Sequence, residues 1–154
     1  MSTLTTVTLS TAAAVTAVNA GAFAAFSTFV MPALRDAGAA TGSSAMRAIN
    51  VVAPRPFAVT LPLGAITGAG AAVLAFRESA GAGWWAVAAT AGAVGMLAIT
   101  AAANIPLNNR LVRWTPRDAQ EWSGWVRPWT RANSARSAVG LAGVVAFVVS
   151  ATLT

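Results

Sequence analysis

The sequence predicts an all-α integral membrane protein, a four-helix up-down-up-down bundle with a short interfacial Trp/Arg-rich helix between spans three and four. Three observations predict it. The 154 residues are 56% hydrophobic and only 9% charged, against roughly a quarter charged in an ordinary soluble domain. The apolar residues gather in four runs, at about 4–30, 57–76, 84–103 and 133–153, each suited with its flanks to a hydrocarbon core of about 30 Å. The charges fall between these runs, as ten arginines and four acids with no lysine. The net charge of +6 would by itself allow a nucleic-acid partner, but basic residues flanking apolar runs mark the cytosolic face of a membrane protein. No nucleic-acid partner is expected.

There is no cysteine and no histidine, which excludes a thiol–disulfide relay and a bis-histidine haem. The carboxylates Asp36, Glu78, Asp118 and Glu121 include only one close pair, too few for a di-iron set. No metal and no cofactor is expected, so any oxygen chemistry needs electrons from elsewhere, such as the substrate itself.

The first run carries no charge from Leu4 to Val30 and lacks the basic start of a signal peptide, so it reads as a mature helix. Ala13, Ala17, Gly21 and Ala25 form a ladder of small residues that would let another helix approach. Asn19, Phe23 and Ser27 make a neighbouring stripe. Pro32 is expected to break or end this helix, and Gly38 to Ser44 to be a connection. Residues 44–52 suit a short helix carrying Met46, Arg47 and Asn50, closed by Pro54-Arg55-Pro56. The second run has Gly64 and Gly68 in a G-x-x-x-G arrangement. A very short turn at Arg77-Glu78 makes the second and third runs antiparallel neighbours.

Residues 110–130 are the interfacial segment. Thr115-Pro116-Arg117-Asp118 reads as a helix start with Thr115 as N-cap and proline at the first helical position. On that helix Trp114, Trp122, Trp125 and Trp129 share one side, read as a belt at the headgroup boundary ahead of a stacking site. The last run repeats small residues at Ala138, Ala142, Ala146 and Ser150. Both ladders suit a homo-oligomer as well as a bundle core.

Alternating topology puts Arg35, Arg47, Arg55, Arg110, Arg113, Arg117, Arg127, Arg131 and Arg136 on one side and only Arg77 on the other. The expectation is an integral plasma-membrane protein with both termini outside and both long connections cytoplasmic. The same topology brings Ser27, Thr28, Asn50, Arg55, Asn104, Asn108, Asn133 and Arg136 to one end of the bundle. Asn104 and Asn108 are four apart and Asn133 and Arg136 three apart, so each pair shares a helix face unless Pro106 shifts the register. Phe23 and Phe26 flank the polar face of the first helix and could wall a pocket.

Four stretches carry a resemblance: Ala25-Phe26-Ser27-Thr28-Phe29-Val30-Met31-Pro32-Ala33-Leu34, Met46-Arg47-Ala48-Ile49-Asn50, Asn104-Ile105-Pro106-Leu107-Asn108-Asn109 and Trp129-Thr130-Arg131-Ala132-Asn133-Ser134-Ala135-Arg136. In this order and spacing the chain resembles the anthrone oxygenase-like family of small integral membrane proteins. Many members have a histidine directly after the last asparagine, where this chain has Ser134, and an aromatic residue where it has Ala132. The resemblance implies a metal-independent oxygenase acting on an anthrone-like polycyclic aromatic, converting methylene to quinone carbonyl with dioxygen. Its implied roles give Arg136 and Arg55 to the substrate anion and Asn104, Asn108 and Asn133 to hydrogen bonds with its oxygens. Phe23 and Phe26 would hold the ring, beside Ser27 and Asn50. The competing expectation is a non-catalytic membrane protein that binds a lipid or hydrophobic small molecule, or a small partner subunit.

Overall fold

A computed structural model describes residues 2–154. Helices dominate, with no strand among the described residues. They are α1 (Thr3–Asp36), α2 (Ala39–Val52), α3 (Pro54–Glu78), α4 (Ala80–Arg113) and α5 (Ala119–Thr152). All but α2 are long and apolar enough to cross a membrane. Their outward faces carry exposed Val18, Ile66, Val73, Trp84, Val94 and Val145. So apolar an outer surface matches lipid as its solvent.

α1 packs on α3 and α5, and α4 packs on the same two helices, closing a ring of four around a core of small side chains. Ala71, Ala75, Ala82, Ala86, Ala89 and Ala146 surround Leu9 and Phe147. Small residues replace bulk because association in lipid depends on close contact rather than on water exclusion. A close backbone approach within the ring joins α4 to α5: a Cβ built on Gly92 would lie 2.6 Å from the Val139 carbonyl oxygen, and one on Gly143 2.9 Å from that of Ala89.

The regular small-residue ladders line this core only in part, through Ala146 and Ser150 on α5 and Ala13 on α1. On α1 the buried stripe is Thr5, Leu9, Ala12, Thr16, Asn19, Ala20 and Phe23, while Gly21 meets nothing within 4 Å. On α5 it runs through Gly140, Gly143, Ala146, Phe147 and Ser150. A strict four-residue spacing rotates about 40° per step around a helix of 3.6 residues per turn, so such a ladder drifts off any one face. Polar side chains join the helices across the ring: Thr60 Oγ1 donates to Asn19 Oδ1 (2.7 Å), Ser137 Oγ to the Ala20 carbonyl (2.8 Å) and Ser150 Oγ to the Ala82 carbonyl (2.8 Å). Asn19 is thereby a helix–helix tie.

Two expectations about helix ends fail, each for a local reason. Pro32 does not end α1. The helix widens into a π-type turn over Phe26–Val30 and then continues. The same device recurs on α4, with a wide turn at Thr100–Asn104 just before Pro106. A proline supplies no N–H and its ring presses on the carbonyl four residues back. Widening the preceding turn relieves both.

The second failure concerns the Trp/Arg-rich segment, which forms no separate interfacial helix. α5 begins at Ala119 with Asp118 as its cap, the Asp118 carboxylate accepting from Glu121 N (2.9 Å) while Glu121 accepts from Arg117 N (2.9 Å). This arrangement, a capping box in which the acid three residues into the turn returns to the N–H just before the cap, outcompetes Thr115, whose hydroxyl instead accepts from Arg47 (3.1 Å). α5 then runs unbroken through Pro128.

Trp122, Trp125 and Trp129 are therefore core residues, not a belt. They are buried with Met31, Met46, Leu111 and Val126, and Trp122 and Trp125 stack with ring centroids 5.3 Å apart. Their indole N–H groups find acceptors, as buried tryptophans require: Trp122 on the Leu34 carbonyl (3.0 Å) and Trp125 on the Leu107 carbonyl (3.0 Å). Gly42 makes room for the first of these contacts, because a Cβ there would overlap the Leu34 oxygen.

Substituting Gly92 with alanine is expected to destabilise the bundle by about 1–3 kcal/mol through overpacking against α5. Gly124→Ala, at a helical position with open space around it, should stabilise by up to about 1 kcal/mol. Thermal unfolding of both variants in one detergent checks the pair. A fall for Gly92→Ala no larger than any change for Gly124→Ala would remove the close crossing from the account.

Candidate functional site

A cavity of about 300 Å³ lies at the end of the bundle where α2 joins α3. Phe23 and Phe26 of α1 form one wall; Met46, Ile49 and Asn50 of α2 and Phe57, Ala58 and Leu61 of α3 form a second. Thr100, Ala101, Asn104 and Asn108 of α4, with Trp129 and Arg136 of α5, complete it. The lining residues that are themselves exposed, Pro54 and Ala58 on α3 and Ala101 and Ile105 on α4, place its opening along the α3–α4 seam. All four are apolar.

The polar centre is Arg136, only 8% exposed. Its guanidinium lies 3.6 Å from the centroid of the Phe23 ring. Asn133 Oδ1 accepts from its Nε (2.9 Å) and Nη2 (2.6 Å), and Thr100 Oγ1 from its Nη1 (3.2 Å). No carboxylate pairs with it among the described residues. One N–H remains on each terminal nitrogen, in a side chain that lines the cavity. A buried cation without a counter-ion is costly, and stacking on an aromatic face offsets part of that cost.

Two other lining side chains have unmet hydrogen-bonding groups: Asn50 Nδ2, a donor, and Asn104 Oδ1, an acceptor, are both buried without a partner. Asn104 Nδ2 lies 3.5 Å from the Trp129 carbonyl, at the limit of a hydrogen bond. Asn108 Oδ1 accepts from Trp129 Nε1 (2.7 Å), which fixes the indole against the cavity. The wide turn over Thr100–Asn104 rephases α4, so Thr100, Asn104 and Asn108 all reach the lining despite Pro106.

Of the residues singled out in the sequence, Phe23, Phe26, Asn50, Asn104, Asn108 and Arg136 come together here. Asn133 does not face the cavity. It is fully buried, holds Arg136 through its oxygen, and gives its nitrogen to the Phe23 carbonyl (2.5 Å) and Ser27 Oγ (2.6 Å). Asn133 is thus a positioning residue and Ser27 an anchor behind it. Arg55 is exposed at the start of α3 and outside the lining, and Thr28 is exposed with its hydroxyl on the Ala24 carbonyl (2.8 Å). Ser134 is also exposed and outside the cavity, sharing a hydrogen bond with Ser27 (2.9 Å). A histidine in that place would stand behind the Asn133 anchor, not among the lining residues.

Sequence reasoning missed Trp129, Thr100 and Phe57. Phe57 packs 4.9 Å from Phe23. The available signal was weak: Trp129 is four before Asn133 and Thr100 four before Asn104. Asp118 and Glu121, the nearest acids in the sequence to this end of α5, are engaged at its start by backbone and Arg117. The cavity therefore combines an apolar, aromatic volume with one unpaired cation and two unmet amide groups. That set can hold a flat apolar body bearing an anionic oxygen, with a hydroxyl able to donate to Asn104.

In a comparison with known protein families, residues 53–146 match the family model described as anthrone oxygenase. The match covers more than half of the chain and includes Asn104, Asn108, Trp129, Asn133 and Arg136. No curated protein and no solved structure matches the chain.

Asn133→Ala is expected to lower stability by about 2–4 kcal/mol, because it strips a buried guanidinium of its main acceptor. Ser134→Ala, at an exposed position, should cost about 0.5 kcal/mol or less. Denaturant titration in detergent separates the two, and equal effects would contradict the assigned positions.

Proposed function

The chain belongs to the anthrone oxygenase family, and from that premise we propose that it is a membrane-embedded oxygenase converting the methylene of an anthrone-like polycyclic aromatic to a quinone carbonyl. The observation that carries this reading is Arg136, an unpaired cation stacked on Phe23 at the wall of an apolar cavity. Cavities of this size are at the small end of those that enclose organic ligands.

The reaction takes the methylene compound and dioxygen to carbonyl and water, one oxygen atom in each. The four electrons come from the substrate carbon. Arg136 favours the enolate over the neutral ketone, since an adjacent cation stabilises the charged form of an oxygen acid. No carboxylate lines the cavity, so the methylene proton passes to water entering from the arginine-rich end of the bundle, not through the lipid-facing opening. The electron-rich anion transfers an electron to dioxygen, and the radical pair, confined beside the ring, combines to a peroxide on the same carbon. Protonation of the outer oxygen, loss of the second C–H proton and cleavage of the O–O bond release water and leave the carbonyl. Asn50 Nδ2 donates to an oxygen of the substrate or the peroxide, while Asn104 Oδ1 accepts from a ring hydroxyl. The lining offers no histidine, cysteine or carboxylate, a donor set ill suited to a transition metal, so the reading is cofactor-independent.

We place the bundle up-down-up-down across a plasma membrane, with both termini outside and the α1–α2–α3 and α4–α5 connections in the cytoplasm. Support comes from the pairing of helix ends, Ser2 N with Glu78 Oε1 (2.8 Å) and Ser150 Oγ with the Ala82 carbonyl (2.8 Å). The lopsided arginine distribution supports the orientation. In this placement the α3–α4 opening faces the bilayer, and an apolar substrate arrives from the lipid.

Dioxygen uptake by the purified protein in detergent with an anthrone tests the activity. Uptake above the spontaneous rate is expected, and Arg136→Gln should lower kcat by about 10²–10³-fold, the effect of losing one oxyanion donor. Folding of the variant is checked by its circular dichroism. Uptake no faster than the spontaneous rate would leave the non-catalytic binding of a lipid or hydrophobic small molecule as the better reading.

Access is tested separately. Ala101→Trp should raise KM about ten-fold or more with kcat changed far less, because it narrows the opening without touching Arg136. An unchanged KM would rule out the α3–α4 seam as the route.

A further inference from the structure

We propose that the groove between the end of α1 and the first half of α5 binds the phosphate of an anionic phospholipid. The inference rests on the membrane placement above but not on the oxygenase chemistry. The groove measures about 440 Å³ and shares no lining residue with the cavity. Ser123, Arg127, Thr130, Arg131 and Ser134 recur along α5 at spacings of three and four, and Arg35 meets them from α1. They form one stripe on the helix.

Its charge is uncompensated. Arg35 is held by Asp36, Nε to Oδ1 at 2.9 Å, but Arg127 and Arg131 have no hydrogen bond or ion pair among the described residues. Like charges four apart on a helix repel, so this concave surface is poised for an anion. A phosphate offers acceptor oxygens only, matching arginine forks and hydroxyl donors.

Thr130 gives the second observation. Most helical threonines in this protein donate to the carbonyl four residues back, as Thr28, Thr60, Thr67, Thr90 and Thr100 do, whereas Thr16 in the helix ring and Thr130 do not. Thr130 Oγ1 makes no such bond: it is buried, in a residue of the groove lining, with no partner at all. Leaving a buried hydroxyl unmet is unfavourable, and a turn of the Thr130 side chain about χ1 would bring its proton to an oxyanion in the groove.

A lipid suits the groove better than a free ion. The volume exceeds that of one phosphate, Pro32 and Val126 add apolar lining to the arginines and hydroxyls, and the exposed Phe29 on the preceding turn of α1 offers apolar surface outside the groove to an acyl chain. At the arginine-rich end of the bundle, the groove lies at headgroup depth.

The test is titration of phosphatidylglycerol into the purified protein in neutral detergent, read by thermal unfolding and by mass spectrometry of retained lipid. The Arg127→Gln, Arg131→Gln double variant should bind about ten-fold more weakly or worse, while an Arg55→Gln, Arg113→Gln control, removing equal charge from exposed sites, stays within about two-fold of the wild type. Thr130→Val should raise the unfolding midpoint without lipid and weaken lipid binding. Equal weakening in both double variants would mean diffuse attraction only and would overturn the site. Stabilisation by inorganic phosphate or glycerol phosphate alone, equal to that by the lipid, would assign the groove to a soluble anion and overturn the lipid reading. Dioxygen uptake with an anthrone is measured alongside, so that failure of the oxygenase reading is seen independently of these outcomes.

Discussion

The burial of the Arg136 guanidinium without a carboxylate is the constraint on which the rest of the structure depends. In a chain with four acids and ten arginines, an unpaired cation inside the helix ring must be met by dipoles and ring faces. Asn133 supplies the oxygen, Thr100 a hydroxyl and Phe23 a π-face. Asn133 is itself held from behind by the Phe23 carbonyl and Ser27. α1, α4 and α5 therefore meet at one guanidinium, the place where the proposed function puts an anionic substrate.

The two wide turns serve that meeting point. Each stands just before a proline, at Pro32 and at Pro106, and each passes the helix through a residue that would otherwise stop it. The wide turn of α1 begins at Phe26, against the cavity, and that of α4 ends at Asn104. The prolines thus act through helix phase, and the extended ends of α1 and α4 give the tryptophans of α5 something to pack on. Trp122 closes on the free carbonyl of Leu34 near the end of α1, and Arg47 on the carbonyls of Leu111 and Trp114 at the end of α4. Such partners replace the water that helix ends would need. They make this end of the bundle a packed polar–aromatic layer below an alanine core.

Much of the candidate cavity was legible because its residue types are rare in such a chain. Asn104, Asn108, Asn133 and Arg136 stand out among apolar helices, and their spacing puts each pair on one helix face. What the spacing leaves open is which partner each side chain meets. Asn133 reads as a site residue by type, yet all its hydrogen bonds are internal. Arg55 has the charge of a site residue but lies outside the ring. The tryptophans fit a headgroup belt by composition, and only the length of α1 and α4 beyond their prolines buries them.

The sequence by itself determined that the chain forms four long apolar helices, that its arginines fall between the apolar runs, and which polar residues stand out against them. These follow from local hydropathy and from charge placement, which each segment carries alone. Only the tertiary structure decided that α5 is one helix from its N-terminal cap to its end, that the close α4–α5 backbone contact runs along Gly92 and Gly143, and that Arg136 lines a cavity beside Asn50 and Asn104. Those outcomes depend on helix phase after a widened turn and on which helix stands opposite. Both are set by contacts between residues far apart in the chain.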